Sequence, residues 1–181
     1  MTDYSMSHYY DQKIFIPTVT KTGEITGEIE RWEAHEKGIL HKAFSVALFY
    51  NNQIILQVRK HPVFDSVIDV TASSHPKMHK GKMEDEKGAV VRCLKREWHV
   101  DIKKESLRDL GSIYYKSKDP NSKYIEHEYC TFYKADIDEM IKPDPEFAYG
   151  YVLIDLDYIQ KYPKHLDLAP WVTTGIDLYR T

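Results

Sequence analysis

Three of the nine histidines and two of the glutamates in this chain are spaced so that they could bind a metal ion. His35 and His41 are six residues apart, with Gly38 between them. This spacing does not put them on one helix face, where neighbours are three or four residues apart. Gly38 would also weaken a continuous strand. We therefore expect a loop that leads into a strand near Ala43, with the histidines acting either as ligands or as ordinary polar residues.

The other candidates are His75, which follows a predicted strand, and the pair Glu126 and Glu128. Residues two apart on a strand point to the same face, so both carboxylates would lie together. Such a pair is often solvated, but the apolar and aromatic neighbours here indicate a central strand. Two buried carboxylates repel each other unless a cation lies between them. Three imidazoles and two carboxylates would suit Mn, Fe, Zn or Mg better than calcium.

Hydrophobic periodicity and turn signals predict strands alternating with helices along the chain. Asn51 and Asn52 separate two apolar runs, and this favours a tight hairpin because asparagine tolerates positive φ. Acidic residues begin the longest predicted helix and basic residues end it, as the helix macrodipole favours. We predict strands at 13–19, 24–32, 43–50, 53–59, 66–72, 109–116, 123–134 and 149–155, and helices at 84–98, 155–162 and 169–179. These elements predict a mixed sheet between helical layers.

Length and composition indicate an ordinary globular protein. With 181 residues, 42% hydrophobic and 29% charged, the chain suits one domain with a sizeable core. We expect a flexible N-terminal segment over residues 1–12 and a single domain over residues 13–181. A net charge of -3 gives no general attraction to nucleic acid or anionic membranes. Only two cysteines and no long apolar run favour a cytoplasmic protein without a membrane partner.

Six short motifs then follow one another along the chain: AHEKGILHKAFSV, SSHP, REWHVDI, YYKSKDP, EHEYC and APW. Their order and spacing resemble those of the type I isopentenyl-diphosphate isomerases, over about residues 14–175. The resemblance implies the Nudix fold, an α/β (α+β) arrangement in which a mixed β-sheet is sandwiched between helices. It also implies that the candidates form one metal site, composed of His35, His41, His75, Glu126 and Glu128.

The same resemblance implies a role for further residues. Glu97 would help to bind a second divalent ion on the substrate diphosphate, and Arg31 and Arg59 would hold that diphosphate. Tyr115 would lie beside the catalytic Glu128, which is the proton donor or relay. The implied cofactors are Mn²⁺ or Zn²⁺ at the histidine and glutamate site and Mg²⁺ with the diphosphate. The implied partner is a small-molecule diphosphate, and we expect a monomer or a weak homodimer.

The implied reaction moves a carbon–carbon double bond by one position, and this agrees with the residue types. An alkene must be protonated and a proton must leave the next carbon, which needs an acid and a base on opposite faces of the substrate. The intermediate tertiary carbocation must be protected from water. The indole of Trp171 could stabilise it by a cation–π interaction, which contributes roughly 2 kcal/mol when desolvated.

The sequence departs from the family pattern at several places. Ser73 stands where the family's second acid–base residue is normally a cysteine, Cys93 where an arginine is usual, and His99 where a glycine usually ends the helix. The segment FDSVI also replaces the usual F-P-G-x-W. A thiol titrates near pH 8.5, whereas a serine hydroxyl is a far weaker acid and needs a neighbouring base. We therefore expect catalysis by Ser73 to be slow.

Other functions stay open at this point. Nudix hydrolases use the helix pattern R-E-x-x-E-E, of which RCLKRE retains only Arg92 and Glu97, so hydrolysis of another organic or nucleoside diphosphate is the alternative. A non-catalytic paralogue that binds a prenyl diphosphate is a third hypothesis, and a domain whose histidines have no special role is a fourth. The complete set of ligand types favours an enzyme.

Overall fold

The computed structural model describes residues 9–180. The strands are β1 (Phe15–Val19), β2 (Ile25–Glu30), β3 (His41–Tyr50), β4 (Gln53–Arg59), β5 (Ile68–Asp69), β6 (Ala72–Ser74), β7 (Met78–His79), β8 (Lys82–Met83), β9 (Arg108–Lys118), β10 (Ile125–Asp136) and β11 (Ala148–Ile154). The α-helices are α1 (Arg31–Lys37), α2 (Glu86–Trp98), α3 (Leu156–Lys161) and α4 (Pro170–Gly175). Short 3-10 helices cover Tyr9–Asp11, Lys104–Ser106, Pro163–His165 and Ile176–Arg180.

Strand β3 is the centre of a mixed sheet that contains all the strands of this region except the β7–β8 hairpin. It pairs in parallel with β10 and antiparallel with β1, β4 and β6. Strand β9 continues the sheet beyond β10, and β11 continues it beyond β4. The first eight residues of β3 are all buried, as expected for a strand that is covered on both faces. The hairpin between β3 and β4 turns at Asn51 and Asn52, which have φ values of 50° and 64°.

Helices cover both faces of the sheet, as the predicted fold requires. Successive residues of β10 point to opposite faces, so Phe132 packs in one core and Tyr133 in the other. Helix α4 contributes Trp171 to the first core, and α2 contributes Leu94 and Trp98 to the second. The predicted mixed sheet between helical layers is therefore confirmed.

Helix α2 has the buried face and the end that its sequence predicts, but it begins at Glu86 rather than at residue 84. Ala89, Cys93 and Leu94 are fully buried. The Asp85 side chain caps its first turn by accepting a hydrogen bond from the Gly88 amide at 2.8 Å. His99 ends the helix in the left-handed conformation, with φ of 55°, although a glycine would adopt that conformation with less strain.

The segment that carries His35 and His41 differs from the predicted loop. The Glu30 carboxylate accepts a hydrogen bond from the Glu33 amide at 3.0 Å, and this cap begins α1 where a strand was expected to continue to residue 32. Gly38, with φ of 60°, ends the helix in the left-handed conformation. The next strand begins at His41 rather than near Ala43. His35 therefore lies within a seven-residue helix, and only the end of that helix and a short turn separate it from His41.

The predicted strand at 66–72 is interrupted in the structure. It forms the short strands β5 and β6, and Thr71 lies between them. The Thr71 hydroxyl accepts a hydrogen bond from the Leu48 amide at 2.8 Å and donates one to the Ile55 carbonyl at 2.7 Å. A side chain therefore satisfies backbone groups that a regular ladder would pair. The interruption leaves Asp69 at the end of β5, close to the loop that carries His75.

The ordered structure begins before residue 13. Residues 1–8 of the predicted flexible segment lie outside the described residues. Tyr9 and Tyr10 belong to a 3-10 helix, and the indole of Trp32 donates a hydrogen bond to the Tyr10 carbonyl at 2.8 Å. These contacts place residues 9–11 in the fold rather than in a flexible segment. None of the helices between residues 9 and 180 is long and apolar enough to cross a membrane.

Candidate metal and active site

Four parts of the fold bring three imidazoles and two carboxylates together. His35 lies on α1, His41 begins β3, His75 follows β6, and Glu126 and Glu128 lie on β10. One nitrogen or oxygen atom from each residue lies within 4.8 Å of the corresponding atoms of the others. All are buried except His75, which is half-buried. We call these five residues the histidine cluster.

Strand register explains most of this convergence. Glu128 on β10 is opposite His41 on β3 and opposite Tyr115 on β9, so the three side chains are cross-strand neighbours. Glu126 points to the same face because it is two residues away. His127, between them, points to the other face, where its Nδ1 lies 2.8 Å from the Gly38 carbonyl.

Hydrogen bonds fix how two of the imidazoles face the carboxylates. The Nδ1 atoms of His35 and His41 each lie 2.7 Å from a backbone carbonyl, that of Arg31 and that of Ile39. A carbonyl can only accept, so both Nδ1 atoms carry hydrogen and a neutral ring presents its Nε2 lone pair. His35 Nε2 lies 3.3 Å from Glu126 Oε2, and neither atom has a hydrogen-bond partner.

These two atoms without hydrogen-bond partners indicate whether a cation fits the cluster. Lone pairs that face each other in a buried site are unfavourable unless a positive charge lies between them. The same arrangement, with Nδ1 hydrogen-bonded and Nε2 exposed to the site, is what metal-binding histidines adopt. The histidine cluster can therefore hold a divalent metal ion.

The electrostatics of the cluster agree with this interpretation. Burial lowers the pKa of His75 well below its usual value, and the neighbouring His41 and His35 lower it further. Burial also lowers the pKa of His35, but the charge of Glu126 and the hydrogen bond to it outweigh burial and raise it overall. Burial raises the pKa of Glu128, but His41 and other hydrogen-bond donors lower it overall. The carboxylates thus attract positive charge to the cluster.

A small cavity lies beside the histidine cluster. Its volume is about 30 Å³, room for about two water molecules. Its walls include the sequence-predicted site residues outside the cluster and three members of the cluster: Arg31, Arg59, Ser73, His75, Glu97, Tyr115, Glu126, Glu128 and Trp171. Tyr9 and Tyr10 form another part of the wall. The cavity as it stands is too small for a ligand of several heavy atoms.

Glu128 and Tyr115 form a direct pair at the cavity. The Tyr115 hydroxyl donates a short hydrogen bond to Glu128 Oε2. Burial raises the pKa of Tyr115 well above its usual value, and the charges of Glu128 and Glu126 raise it further, so the phenol keeps its proton. The Tyr115 ring lies 6.1 Å from the ring of Trp171.

The predicted diphosphate-binding arginines already have protein partners. The Arg31 guanidinium donates hydrogen bonds of 3.3–3.4 Å to the backbone carbonyls of Tyr9, Tyr10 and Gln12. Arg59 forms a buried ion pair with Asp69 at 2.7 Å and stacks over the Trp171 ring at 5.0 Å from its centre.

Glu97, which was predicted to hold a second ion, lies beside two residues of its own helix. Its Oε1 accepts a hydrogen bond from Arg96 at 2.5 Å and one from the Cys93 thiol at 3.3 Å. The Arg96 guanidinium also lies 3.3 Å from the Cys93 sulfur. The Arg96 guanidinium thus lies beside Cys93, the position at which the family pattern usually has an arginine.

Sequence reasoning missed Asp69. This fully buried carboxylate contacts three of the predicted site residues, Arg59, Ser73 and Trp171. The available signal was an aspartate inside the apolar run VIDV, where an acid is rarely buried without partners. It also stands four residues before Ser73.

Comparison with solved structures identifies the fold. The chain superposes on DR0079 from Deinococcus radiodurans with a TM-score of 0.67 at 15% identity, covering 90% of this chain and 97% of that one. The NUDIX domain of Shewanella oneidensis NrtR gives a TM-score of 0.54 at 16% identity, covering 78% and 85% of the two chains. At these identities the likeness concerns the fold alone, and the fold is that of the Nudix proteins.

Comparison with curated proteins identifies the family. Isopentenyl-diphosphate Delta-isomerase from Rhodobacter capsulatus is 32% identical over 158 residues, which cover 84% of this chain and 86% of that protein. The Streptomyces coelicolor enzyme of the same name is 27% identical and covers 97% of this chain and 88% of that protein. No family model matches. The chain belongs to the isopentenyl-diphosphate isomerase family and is an enzyme of this kind.

Proposed function

We propose that this protein converts isopentenyl diphosphate to dimethylallyl diphosphate in a metal-dependent reaction. One observation carries the proposal. A single cavity is lined by part of the histidine cluster, the Glu128–Tyr115 pair, the Ser73 hydroxyl and the Trp171 indole. Proton-transfer groups, a cation site and an aromatic face are what a double-bond shift through a carbocation needs. The names of the relatives at 27–32% identity support the same substrate.

The proposed cofactors are Mn²⁺ or Zn²⁺ at the histidine cluster and Mg²⁺ with the substrate diphosphate. Three imidazole nitrogens and two carboxylate oxygens suit the first pair of ions, whereas Mg²⁺ prefers carboxylate and phosphate oxygens. Glu97 lines the cavity and is the proposed ligand for the second ion. A bound cation supplies positive charge that holds the carboxylates in place and neutralises the diphosphate.

The chain's own residues carry the proton steps in this proposal. Glu128 takes up a proton from solvent before each turnover and delivers it to the terminal alkene carbon, while Tyr115 holds the carboxyl group in place. The Trp171 indole faces the cationic carbon and keeps water away from it. Arg31 and Arg59 bind the diphosphate, which orients a small substrate that offers few other polar contacts. Ser73 receives the proton that leaves the adjacent carbon.

The arginine contacts and Ser73 together support slow turnover. The diphosphate has to compete with the carbonyls that accept hydrogen bonds from Arg31 and with the Asp69 carboxylate that pairs with Arg59. A serine hydroxyl is also a weaker proton-transfer group than a thiol. Well-placed general acid–base groups contribute roughly 10²–10⁴-fold to rate. We therefore expect Ser73→Cys to raise the isomerisation rate.

The test measures incorporation of solvent deuterium into isopentenyl and dimethylallyl diphosphates, with manganese or magnesium present. Exchange by the wild-type protein, and faster exchange by Ser73→Cys, would support the proposal. The opposing result is no exchange from either protein together with phosphate or nucleotide release from other diphosphates. That outcome would favour a Nudix-type hydrolase instead.

A further inference from the structure

Asp69 is a buried carboxylate at which three site residues meet. The Trp171 indole donates to Asp69 Oδ1 at 2.7 Å, and the Ser73 hydroxyl donates to the same oxygen at 3.1 Å. Arg59 donates to the other oxygen, Oδ2, at 2.7 Å. The backbone amide of Val70 also donates to Oδ1, at 2.8 Å. Asp69 does not line the cavity, so any effect on substrate must pass through one of these partners.

The contact with Asp69 determines what Ser73 offers to the cavity. An ionised carboxylate can only accept hydrogen bonds, so the single hydroxyl hydrogen of Ser73 points at Asp69. Ser45 Oγ lies 2.9 Å from Ser73 Oγ and can donate to it. Ser73 lines the cavity, so its oxygen presents a lone pair there rather than a hydrogen. In this state Ser73 can accept a proton but cannot donate one.

We propose that Asp69 is the positioning residue that turns Ser73 into the base of the isomerisation, which rests on the proposed function above. The Ser73 oxygen removes a proton from the carbon next to the carbocation, and the electron pair of that C–H bond becomes the new double bond. The original hydroxyl hydrogen of Ser73 passes to Asp69 Oδ1. Glu128 has lost one proton and Asp69 has gained one, and exchange with solvent restores both.

The surroundings of Asp69 suit this task. Burial raises its pKa, whereas Arg59, Trp171 and Ser73 lower it by contributing positive charge and hydrogen bonds, and the overall shift is upward. A raised pKa makes the carboxylate a better proton acceptor than an exposed aspartate. A proton adjacent to a carbocation is strongly acidic, so a hydroxyl backed by a carboxylate is a sufficient base.

Asp69 also sets the position of the groups around it. Its strand β5 pairs with β4, where Asp69 is opposite Gln57, so the carboxylate is fixed between the sheet and α4. The same oxygen that accepts from Ser73 accepts from the Trp171 indole. The base and the aromatic face are therefore both hydrogen-bonded to the same oxygen atom.

A purely structural role for Asp69 is the competing explanation, and a double-mutant cycle separates the two. In wild type, Asp69→Asn removes the proton acceptor and should lower kcat for deuterium exchange by about 10²-fold. In the Ser73→Cys background the thiolate is itself a base, so the same substitution should lower kcat much less, by only the part of the loss that passes through Arg59 and Trp171. Equal losses in the two backgrounds would overturn the proposal, because structural damage does not depend on the side chain at position 73.

Asp69→Asn leaves the buried Arg59 without its ionic partner, so we expect this variant to be less stable as well. The pH dependence of exchange then tests the proposal without altering Asp69. In wild type the base is the Ser73–Asp69 pair, and its acid limb should lie above that of an exposed carboxylate, because burial raises the pKa of Asp69, but below the thiol range. In Ser73→Cys the limb should move toward the thiol range, near pH 8.5. Coincident limbs would overturn the proposal.

The two experiments also separate this proposal from the proposed function. Exchange by wild type with equal Asp69→Asn losses in both backgrounds rejects Asp69 but keeps the isomerase. No exchange by wild type or by Ser73→Cys rejects the isomerase and Asp69 together. Exchange by wild type and by Ser73→Cys, with the larger Asp69→Asn loss in the serine background, supports both.

Discussion

Two polar clusters lie beside the same cavity, and they satisfy their hydrogen bonds in opposite ways. In the histidine cluster, buried imidazole nitrogens and carboxylate oxygens face each other and several of them have no partner. In the second group, the aspartate cluster of Arg59, Asp69, Ser73 and Trp171, every oxygen of the carboxylate accepts at least one hydrogen bond. Each cluster is buried except for one half-buried residue, His75 in the first and Ser73 in the second, so the contrast does not come from solvent.

This difference in hydrogen-bond partners indicates which of the two clusters is the better candidate for a bound cation. Buried polar groups normally find partners within the protein, and those that do not are exceptions that need a reason. In the aspartate cluster both oxygens of the Asp69 carboxylate have donors, although Arg59 Nε has no partner, so this carboxylate needs no cation and can serve as a fixed support. The histidine cluster lacks positive charge, which a metal ion would supply. The following predictions test this difference, from the largest expected effect to the smallest.

Glu128→Gln should have the largest effect, because it removes both a candidate metal ligand and the candidate proton donor. We expect deuterium exchange to fall by at least about 10³-fold, within the range for loss of general acid catalysis combined with a weakened cation site. The measurement is kcat for exchange at saturating metal. His127→Gln is the matched control, since it lies next to Glu128 on β10 but points to the other face. A similar loss in both variants would argue against a specific role for Glu128.

Metal binding at the histidine cluster should stabilise the folded state, and metal removal should abolish that stabilisation. At a free metal concentration of about 100 times Kd, binding contributes about 2.7 kcal/mol to the stability of the folded state. For a chain of this size that corresponds to a rise in Tm of roughly 5–11 °C. Thermal unfolding with and without Mn²⁺ or Zn²⁺ measures it. The rise should disappear in Glu126→Gln and persist in His127→Gln, and a rise that persists in both would place the ion elsewhere.

Trp171→Phe tests the aspartate cluster with a smaller change. The phenyl ring keeps an aromatic face but loses the hydrogen bond to Asp69, so we expect kcat to fall about tenfold, equivalent to about 1.4 kcal/mol. Trp98→Phe is the control because its buried indole also donates a hydrogen bond, to the Thr71 carbonyl at 2.6 Å, but from the opposite core. Both variants should lose stability. Only Trp171→Phe should have a lower kcat for exchange. Equal kcat values in the two variants would argue against a role of the Trp171 indole in the mechanism.

The regular strands and tight turns of the fold could be predicted from sequence because their signals are local. Glu126 and Glu128 share a face because strands repeat every two residues. The hairpin at Asn51 and Asn52 follows from the tolerance of asparagine for positive φ.

The irregular parts depend on contacts that are distant in sequence. Helix α1 has seven residues, which is too short for a clear hydrophobic period. The break between β5 and β6 results from hydrogen bonds of the Thr71 side chain to β3 and β4. Asp69 acquires its role from Trp171, which is 102 residues away in the chain. Such partners are visible only when the fold brings them together.

The smallest expected effect concerns Gly38, which joins the helix of His35 to the strand of His41. Its φ is 60°, and an added Cβ would lie 3.1 Å from Ile125. Gly38→Ala should therefore lower the free energy of unfolding by about 1–2 kcal/mol, the strain of a left-handed alanine. Denaturant unfolding without metal measures this loss, and metal titration followed by Tm measures any change in affinity.

Gly81→Ala is the matched control for this substitution. Gly81 also has a positive φ, 74°, but an added Cβ there meets no atom within 4 Å. Backbone strain should destabilise both variants by a similar amount, whereas crowding against Ile125 occurs only at position 38. Because that crowding shifts α1 against β10, it should move His35 relative to Glu126 and weaken metal binding in Gly38→Ala alone. Unchanged metal affinity in both variants would mean that the turn sets the stability of the fold but not the geometry of the histidine cluster.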